Sequence, residues 1–281
     1  MSGNISLPKK VVVLRTGGLG DFILIVPLLV TMLEAKVQVT VVTRRSYFDI
    51  LGDLCAKLSF VDAEEIFVST TPELFREKFS KATVFSFWKD RDGSLEAMFK
   101  PYGIHHLVEL DSRPNQPPHI VERTFQDVGI QWKEEHYKRS WLQVNELDGD
   151  CLWVHPGSGS LTKNLPLSWF ARRIRRWFSD GGEKVVVSFG EADLDVEEEF
   201  LENCGQMPLE ILHPPTFLQL RQELIAKAVL FVGNDSGPTH LASALGIRTE
   251  VGFIRTNPAI WRPLGENVEV LTPREVSQSD S

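Results

Sequence analysis

The sequence predicts an α/β protein of two Rossmann-like lobes with parallel sheets, and three observations carry that expectation. Short β-branched apolar runs alternate with helical stretches along the chain. Strands run into loops of glycine and small polar residues that open straight into helices, at RTGGLGDF (15–22), HPGSGSLTKNLPLSWF (155–170) and NDSGPTH (234–240). A length of 281 residues suits two domains of roughly 140 better than one or three. Parallel neighbours need long connections, and right-handed crossovers place helices on both sheet faces.

Residues 10–15 (KVVVLR) form a β-branched run that ends in Gly17, Gly18 and Gly20, after which Asp21 opens an apolar helix over 22–33. That run contains Pro27 and Thr31 and is shorter than the roughly 20 residues that cross a bilayer, so it reads as a buried helix. Residues 37–43 repeat the strand signal, 45–54 can be helical, and 82–87 and 104–110 supply further short strands. From 136 to 150 the chain turns polar without sustained periodicity, and residues 151–155 start a new strand closed by Pro156 and Gly157. The lobes are therefore expected at 1–148 and 149–281. The second lobe reads as helix 167–178, strand 184–189, helices 193–204 and 217–226, strand 229–232 and helix 238–245. The polar end, 272–281, is expected to be loosely held.

Composition narrows the function classes. With 30 basic against 38 acidic residues the formal charge is −8, so no global field favours nucleic-acid phosphates, and nucleic acid is not an expected partner. The N-terminal MSGNISLPKK has no apolar core of an export signal. Cys55, Cys151 and Cys204 are far apart and odd in number, without the spacing of a zinc site or a disulfide framework, which fits a reducing cytoplasm.

Three segments carry chemistry. In NDSGPTH, Pro238 suits the first turn of a helix because its missing N–H costs nothing there, which makes Ser236 or Gly237 the N-cap. The free N–H groups and dipole of that helix start make a phosphate site, to which Ser236, Thr239 and His240 can add donors. The same residues read equally as a capped strand-to-helix turn without a ligand. In HPGSGSLTKN, Gly157 and Gly159 allow close backbone approach, and Lys163 can neutralise a leaving diphosphate with Ser158, Ser160 and Thr162 as hydroxyl donors. A solvated loop lysine is the plainer reading, and His155 reads as structural. In RTGGLGDF the spacing is neither a dinucleotide fingerprint nor a P-loop. Asp21 can accept a proton from an attacking hydroxyl, or it is simply an acid favoured at a helix start.

Taken in order, RTGGLGDFILIVPLL, HPGSGSLTKNLPLSWF and FVGNDSGPTHLASALG followed by NPAIWRPLG resemble glycosyltransferase family nine, the ADP-heptose:lipopolysaccharide heptosyltransferases. The resemblance covers roughly residues 10 to 270 and implies a GT-B fold, two Rossmann-like lobes facing across an inter-lobe cleft, the first for the acceptor and the second for the nucleotide sugar. It implies that Asp21 is the general base and that Lys163 contacts donor phosphate. Asp235, Ser236, Gly237 and His240 are implied to grip the pyrophosphate and sugar. The donor-binding set also takes in Gly17, Gly18 and Gly20, Ser158, Gly159 and Thr162, and Thr239. Inversion without a metal or cofactor is implied by the same resemblance. Leu165 stands where the family often has tryptophan. An acid for the ribose or base is sought among Glu191, Asp193 and Glu197.

The expected partners are thus a nucleotide-sugar donor and a lipid-linked or glycan acceptor. The helix LSWFARRIRRWF carries Arg172, Arg173, Arg175 and Arg176 opposite an apolar face, a pattern that also suits peripheral contact with an anionic membrane surface. His105 and His106 point to opposite strand faces and read as structural, while Trp261 suits stacking or packing. Two further readings remain: a nucleotide-sugar epimerase of GT-B-like fold, and a nucleotide-sugar-binding module without turnover.

Overall fold

The computed structural model of the chain describes residues 7–68, 72–142 and 144–272. It divides into two compact units, Met1–Trp132 and Lys133–Ser281. The division falls earlier than the expected break at 148/149, because the polar segment packs on the second unit: Leu142 N donates to Ala244 O, Gly265 N to Tyr137 O, and Arg262 lies over the Tyr137 ring. Residues 273–281, expected to be loosely held, lie outside the described residues.

The first unit holds a five-stranded parallel sheet in the order β3-β2-β1-β4-β5. Its strands are β1 (Lys10–Leu14), β2 (Gln38–Thr43), β3 (Ser59–Asp62), β4 (Thr83–Ser86) and β5 (His106–Glu109). β1 runs KVVVL with four of five residues buried, as a central strand covered on both faces requires. The apolar run expected as one helix is two, Leu19–Ile23 and Val26–Glu34. Pro27, in the first turn of the second, lacks an N–H and its ring opposes the carbonyl of Ile23, which breaks the ladder between them. The helix expected over 45–54 keeps α geometry only for Arg45–Phe48 and continues as a 3₁₀ turn, kinked at Gly52, where φ is +60°.

The second unit holds a six-stranded parallel sheet in the order β11-β10-β9-β6-β7-β8. Its strands are β6 (Cys151–His155), β7 (Lys184–Ser188), β8 (Glu210–Leu212), β9 (Ala228–Asn234), β10 (Arg248–Gly252) and β11 (Val268–Leu271). The helix Leu167–Ser179 buries Leu167, Trp169, Phe170, Ala171 and Ile174 against β6 and β7. Full burial of a side chain such as Phe170 or Ile174 contributes about 1.5–3 kcal/mol.

Strand order fixes where ligands can sit. The first sheet grows outward in opposite directions from β1 and β4, and the second from β6 and β9. Loops leaving the carboxyl ends of such a neighbouring pair part to opposite faces of the sheet and open a crevice. The three segments singled out in the sequence are the loops after β1, β6 and β9.

Candidate functional site

In the first unit the loop after β1 is organised by one acid. The start of the helix Leu19–Ile23 is closed by the acid half of a capping box, in which Gly18 N donates to Asp21 Oδ2 at 3.0 Å. A Cβ on Gly17 would overlap the Asp21 carboxylate, so only glycine fits beneath it. The other oxygen, Oδ1, accepts from Arg15 at 2.7 Å. Arg15 ends the apolar strand, is 3% exposed and lies with its guanidinium 4.5 Å over the Phe87 ring. Burial pushes the Arg15 pKa below its usual value, opposed by the charge and hydrogen bond of Asp21, and Arg113 adds repulsion. Trp88, after β4, donates its indole N–H to Thr16 Oγ1 at 2.7 Å, tying the two switch-point loops together. The Asp21 side chain keeps 33% of its surface exposed. Gly20 lies inside the helix, where its carbonyl accepts from Leu24 N at 3.0 Å.

In the second unit the loops after β6 and β9 meet. Ser236 is the N-cap of the helix Gly237–Leu245, with Gly237 and Pro238 as its first two residues. Lys163, in the 3₁₀ turn Leu161–Lys163, reaches across to Asp235 Oδ2 at 3.1 Å. His240 Nε2 faces Asp235 Oδ1 at 3.5 Å, and Thr256 Oγ1 donates to Oδ2 at 2.6 Å. Burial alone would raise the Asp235 carboxyl, but the hydrogen bonds of His240 and Thr256 and the charges of His240 and Lys163 outweigh it and lower it to about 2. Asp235 is therefore an anion at any working pH, and its chemistry is to hold cations and donors in place.

The sequence-predicted residues divide accordingly. Lys163, Asp235 and His240 are brought together. Thr239 is fully buried and its hydroxyl donates to Asn234 O at 2.6 Å, with Ser236 Oγ at 3.0 Å, so it braces the turn from inside. Ser158 donates to Ser160 O at 2.8 Å, Thr162 and Ser160 pair at 3.2 Å, and Gly159 adopts φ +68°. His240 Nδ1, in a ring 4% exposed, has no hydrogen-bond partner among the described residues. A buried ring nitrogen without a partner points to a ligand group that completes it.

The three candidate acids have different surroundings. Asp193 is 5% exposed and accepts from Gly190 N at 2.9 Å, with His155 Nε2 at 3.4 Å. Gly157 sits so close to it that a Cβ there would overlap its carboxylate. His155 Nδ1 lies 2.9 Å from Ser188 O, which can only accept, so Nδ1 carries the proton. Burial holds the His155 pKa below its usual value, against the charge of Asp193 and the Ser188 carbonyl. His155 and Asp193 thus support the loop from behind. Glu197 takes His213 Nε2 at 2.8 Å, and Glu191 is exposed.

The arginine-rich helix face is largely engaged within the protein. Arg173 makes two 2.8 Å bonds to Glu250, Arg175 donates to Asn203 O, and Arg176 pairs with Asp180. A groove of about 1060 Å³ beside this helix, lined by Trp169, Arg173, Trp177, Arg248 and Glu250, includes none of the loop residues above. Among the described residues no group of three or more His, Cys, Asp or Glu is placed to hold a metal ion, and no helix is long and apolar enough to cross a membrane.

Sequence reasoning missed Arg15, Asn234 and Thr256. An arginine closing an apolar strand six residues before an acid was a readable signal for the first; nothing local marks Thr256.

Comparison with known proteins agrees with this fold. Lipopolysaccharide heptosyltransferase 3 of Escherichia coli (strain K12) is 26% identical over 167 residues, 58% of this chain and 48% of the relative. The chain spans about half the length of the curated relatives it matches. A family 9 glycosyl transferase from Veillonella parvula superposes with a TM-score of 0.71 at 18% identity, covering 100% of this chain and 91% of that one. The E. coli heptosyltransferase WaaC with ADP gives a TM-score of 0.69 at 16% identity, covering 95% and 94%. At these identities the likeness is one of fold, the GT-B fold of two Rossmann-like units. The model of glycosyltransferase family 9 (heptosyltransferase) matches residues 118–280, more than half of the sequence and all of the loops that meet at Asp235, and the chain belongs to that family.

Proposed function

We propose that the chain is an inverting glycosyltransferase that needs no metal. It moves a heptose or related sugar from a nucleotide diphosphate donor, ADP-heptose by preference, to a hydroxyl of a lipopolysaccharide-core or other glycan acceptor. The observation that carries this reading is the cluster of Lys163, Asp235 and His240 at the carboxyl ends of β6 and β9, with His240 Nδ1 buried and unpartnered.

The donor pyrophosphate lies at the N-terminus of the helix Gly237–Leu245, where free N–H groups and the dipole favour an anion. Asp235 repels phosphate, so it does not bind it. It fixes the ammonium of Lys163 and the His240 ring beside the phosphates and can accept from a sugar hydroxyl. Glu191, the exposed one of the three candidate acids, takes the ribose or base. The acceptor oxygen attacks the anomeric carbon from the face opposite the phosphate, and the carbon–oxygen bond to the diphosphate breaks. The proton of the acceptor hydroxyl passes to Asp21, and the leaving charge is met by Lys163 and the helix amides. Arg15 and Gly18 hold Asp21 in one rotamer for that transfer.

The test is a thermal-shift screen with ADP-, GDP- and UDP-sugars. A ligand at a hundred times its Kd stabilises the folded state by about 2.7 kcal/mol, a shift of several degrees. No shift with any of them would overturn the reading.

A further inference from the structure

We infer that Asn234 is the positioning residue that sets Lys163 for donor phosphate, an inference that rests on the donor-site reading above. Asn234 ends β9 one residue before Asp235 and is fully buried. Its side chain grips both ends of the loop after β6. Nδ2 donates to Pro156 O at 2.6 Å, with Gly157 O at 3.4 Å, and Oδ1 accepts from Leu165 N at 2.8 Å. Asn164 Oδ1 lies 3.5 Å from the same Nδ2. The stretch from Ser158 to Asn164, exposed over 159–162 and carrying the half-buried Lys163, is thus pinned at its start and its finish by one planar amide.

The chemistry of the position is narrow. One end of the loop offers a carbonyl, which needs a donor, and the other an N–H, which needs an acceptor. A carboxamide supplies both on one short, rigid group. An aspartate keeps the acceptor and loses the donor, and an alanine loses both and leaves two buried backbone groups unpaired. Because Asn234 adjoins Asp235 in the chain, the amide that pins the lysine loop and the carboxylate that receives the lysine move as one piece. The lysine is delivered to a fixed point instead of being drawn from an ensemble of loop shapes, which lowers the ordering cost of binding.

The experiment is a double-mutant cycle read by calorimetric titration of ADP, with GDP and UDP titrated alongside. Asn234→Ala and Asn234→Asp are each placed in the parent and in a Lys163→Ala background, with melting temperatures recorded. In the parent we expect Asn234→Ala to weaken nucleotide binding about tenfold or more, and Asn234→Asp by less. In the Lys163→Ala background both effects should shrink to within about twofold. If nucleotide binds the parent and Lys163→Ala weakens it, but Asn234→Ala acts undiminished in that background or does not act at all, the positioning role is wrong. Unfolding of both Asn234 variants would likewise overturn it, by assigning the residue to core stability. If no nucleotide binds the parent, or Lys163→Ala leaves affinity unchanged, the donor-site reading itself fails.

Discussion

The loops after β1 and after β9 are built to one plan and use their acids in opposite ways. Each leaves a buried central strand, turns through small residues and starts a helix, and each carries one carboxylate near that start. Asp21 is one-third exposed, with one cation behind it and a backbone amide below it. The side chain of Asp235 is 9% exposed and gathers a lysine, a histidine and a threonine around itself. The first arrangement leaves an oxygen that can take a proton from a neighbour. The second spends the charge on arranging other groups. On the proposed function, the same local motif serves as a base in one loop and a scaffold in the other, according to how many partners the fold brings to it.

The contrast is tested most severely at Asp21. We expect Asp21→Ala to lower kcat by about 10²–10⁴-fold while calorimetric nucleotide affinity stays unchanged. A variant with parental turnover would remove the distinction between the two acids. Lys163→Ala should do the reverse, weakening nucleotide affinity by about tenfold to a hundredfold, the range of a hydrogen bond to a charged group.

Asp235 makes a prediction about acid stability. Its carboxyl titrates at about 2 in the folded protein against an ordinary 3.8. The native state therefore binds fewer protons there, and the stabilisation is fully present above the ordinary value and lost as pH falls through the folded one. At about 1.4 kcal/mol per unit this amounts to about 2 kcal/mol, counting burial and partners together. Urea titrations should find Asp235→Asn less stable at neutral pH by about that amount, with the gap to the parent closing between pH 4 and 2. A constant gap across that window would show that the charge is not what matters.

The smallest effect is expected at Arg15. Arg15→Lys keeps the cation and loses the planar guanidinium that lies over Phe87 and bonds Asp21 Oδ1, so kcat should fall less than tenfold with nucleotide affinity untouched. A collapse as deep as that of Asp21→Ala would give Arg15 a larger part than positioning.

Much of this architecture was legible locally. The runs KVVVL, CLWVH and AVLFVGN are buried strands that look like buried strands, and Pro238 behind Ser236 marks a helix start in any context. The strands that escaped notice, β3, β8, β10 and β11, are edge or near-edge pieces of three to five residues whose patterns are mixed. β10 even carries Glu250 in its middle. That acid is tolerable only because Arg173, from a helix far away in sequence, meets it with two bonds, and no window of the sequence contains both. The candidate site follows the same rule. Asp21, Lys163 and His240 could be named from their loops, and Asp235 from the family resemblance that those loops carry. The partners that define what they do, Arg15 over Phe87, Thr256 on Asp235 and Asn234 on the lysine loop, depend on which strands lie side by side.

The pairing of β6 with β9 has a consequence for how the protein is made. The two strands are neighbours in the sheet, yet β7, β8 and the helices between them are synthesised before β9 emerges. Until then one edge of β6 is open and the lysine loop has neither Asp235 nor Asn234 to close on. The candidate site of the second unit is thus among its last parts to assemble. Chains truncated before Ala228 could complete β6, β7 and β8 and still present an unsatisfied strand edge on β6. Such fragments are expected to be prone to aggregation and empty of activity, which makes β9 a checkpoint in the maturation of the protein as well as a wall of its crevice.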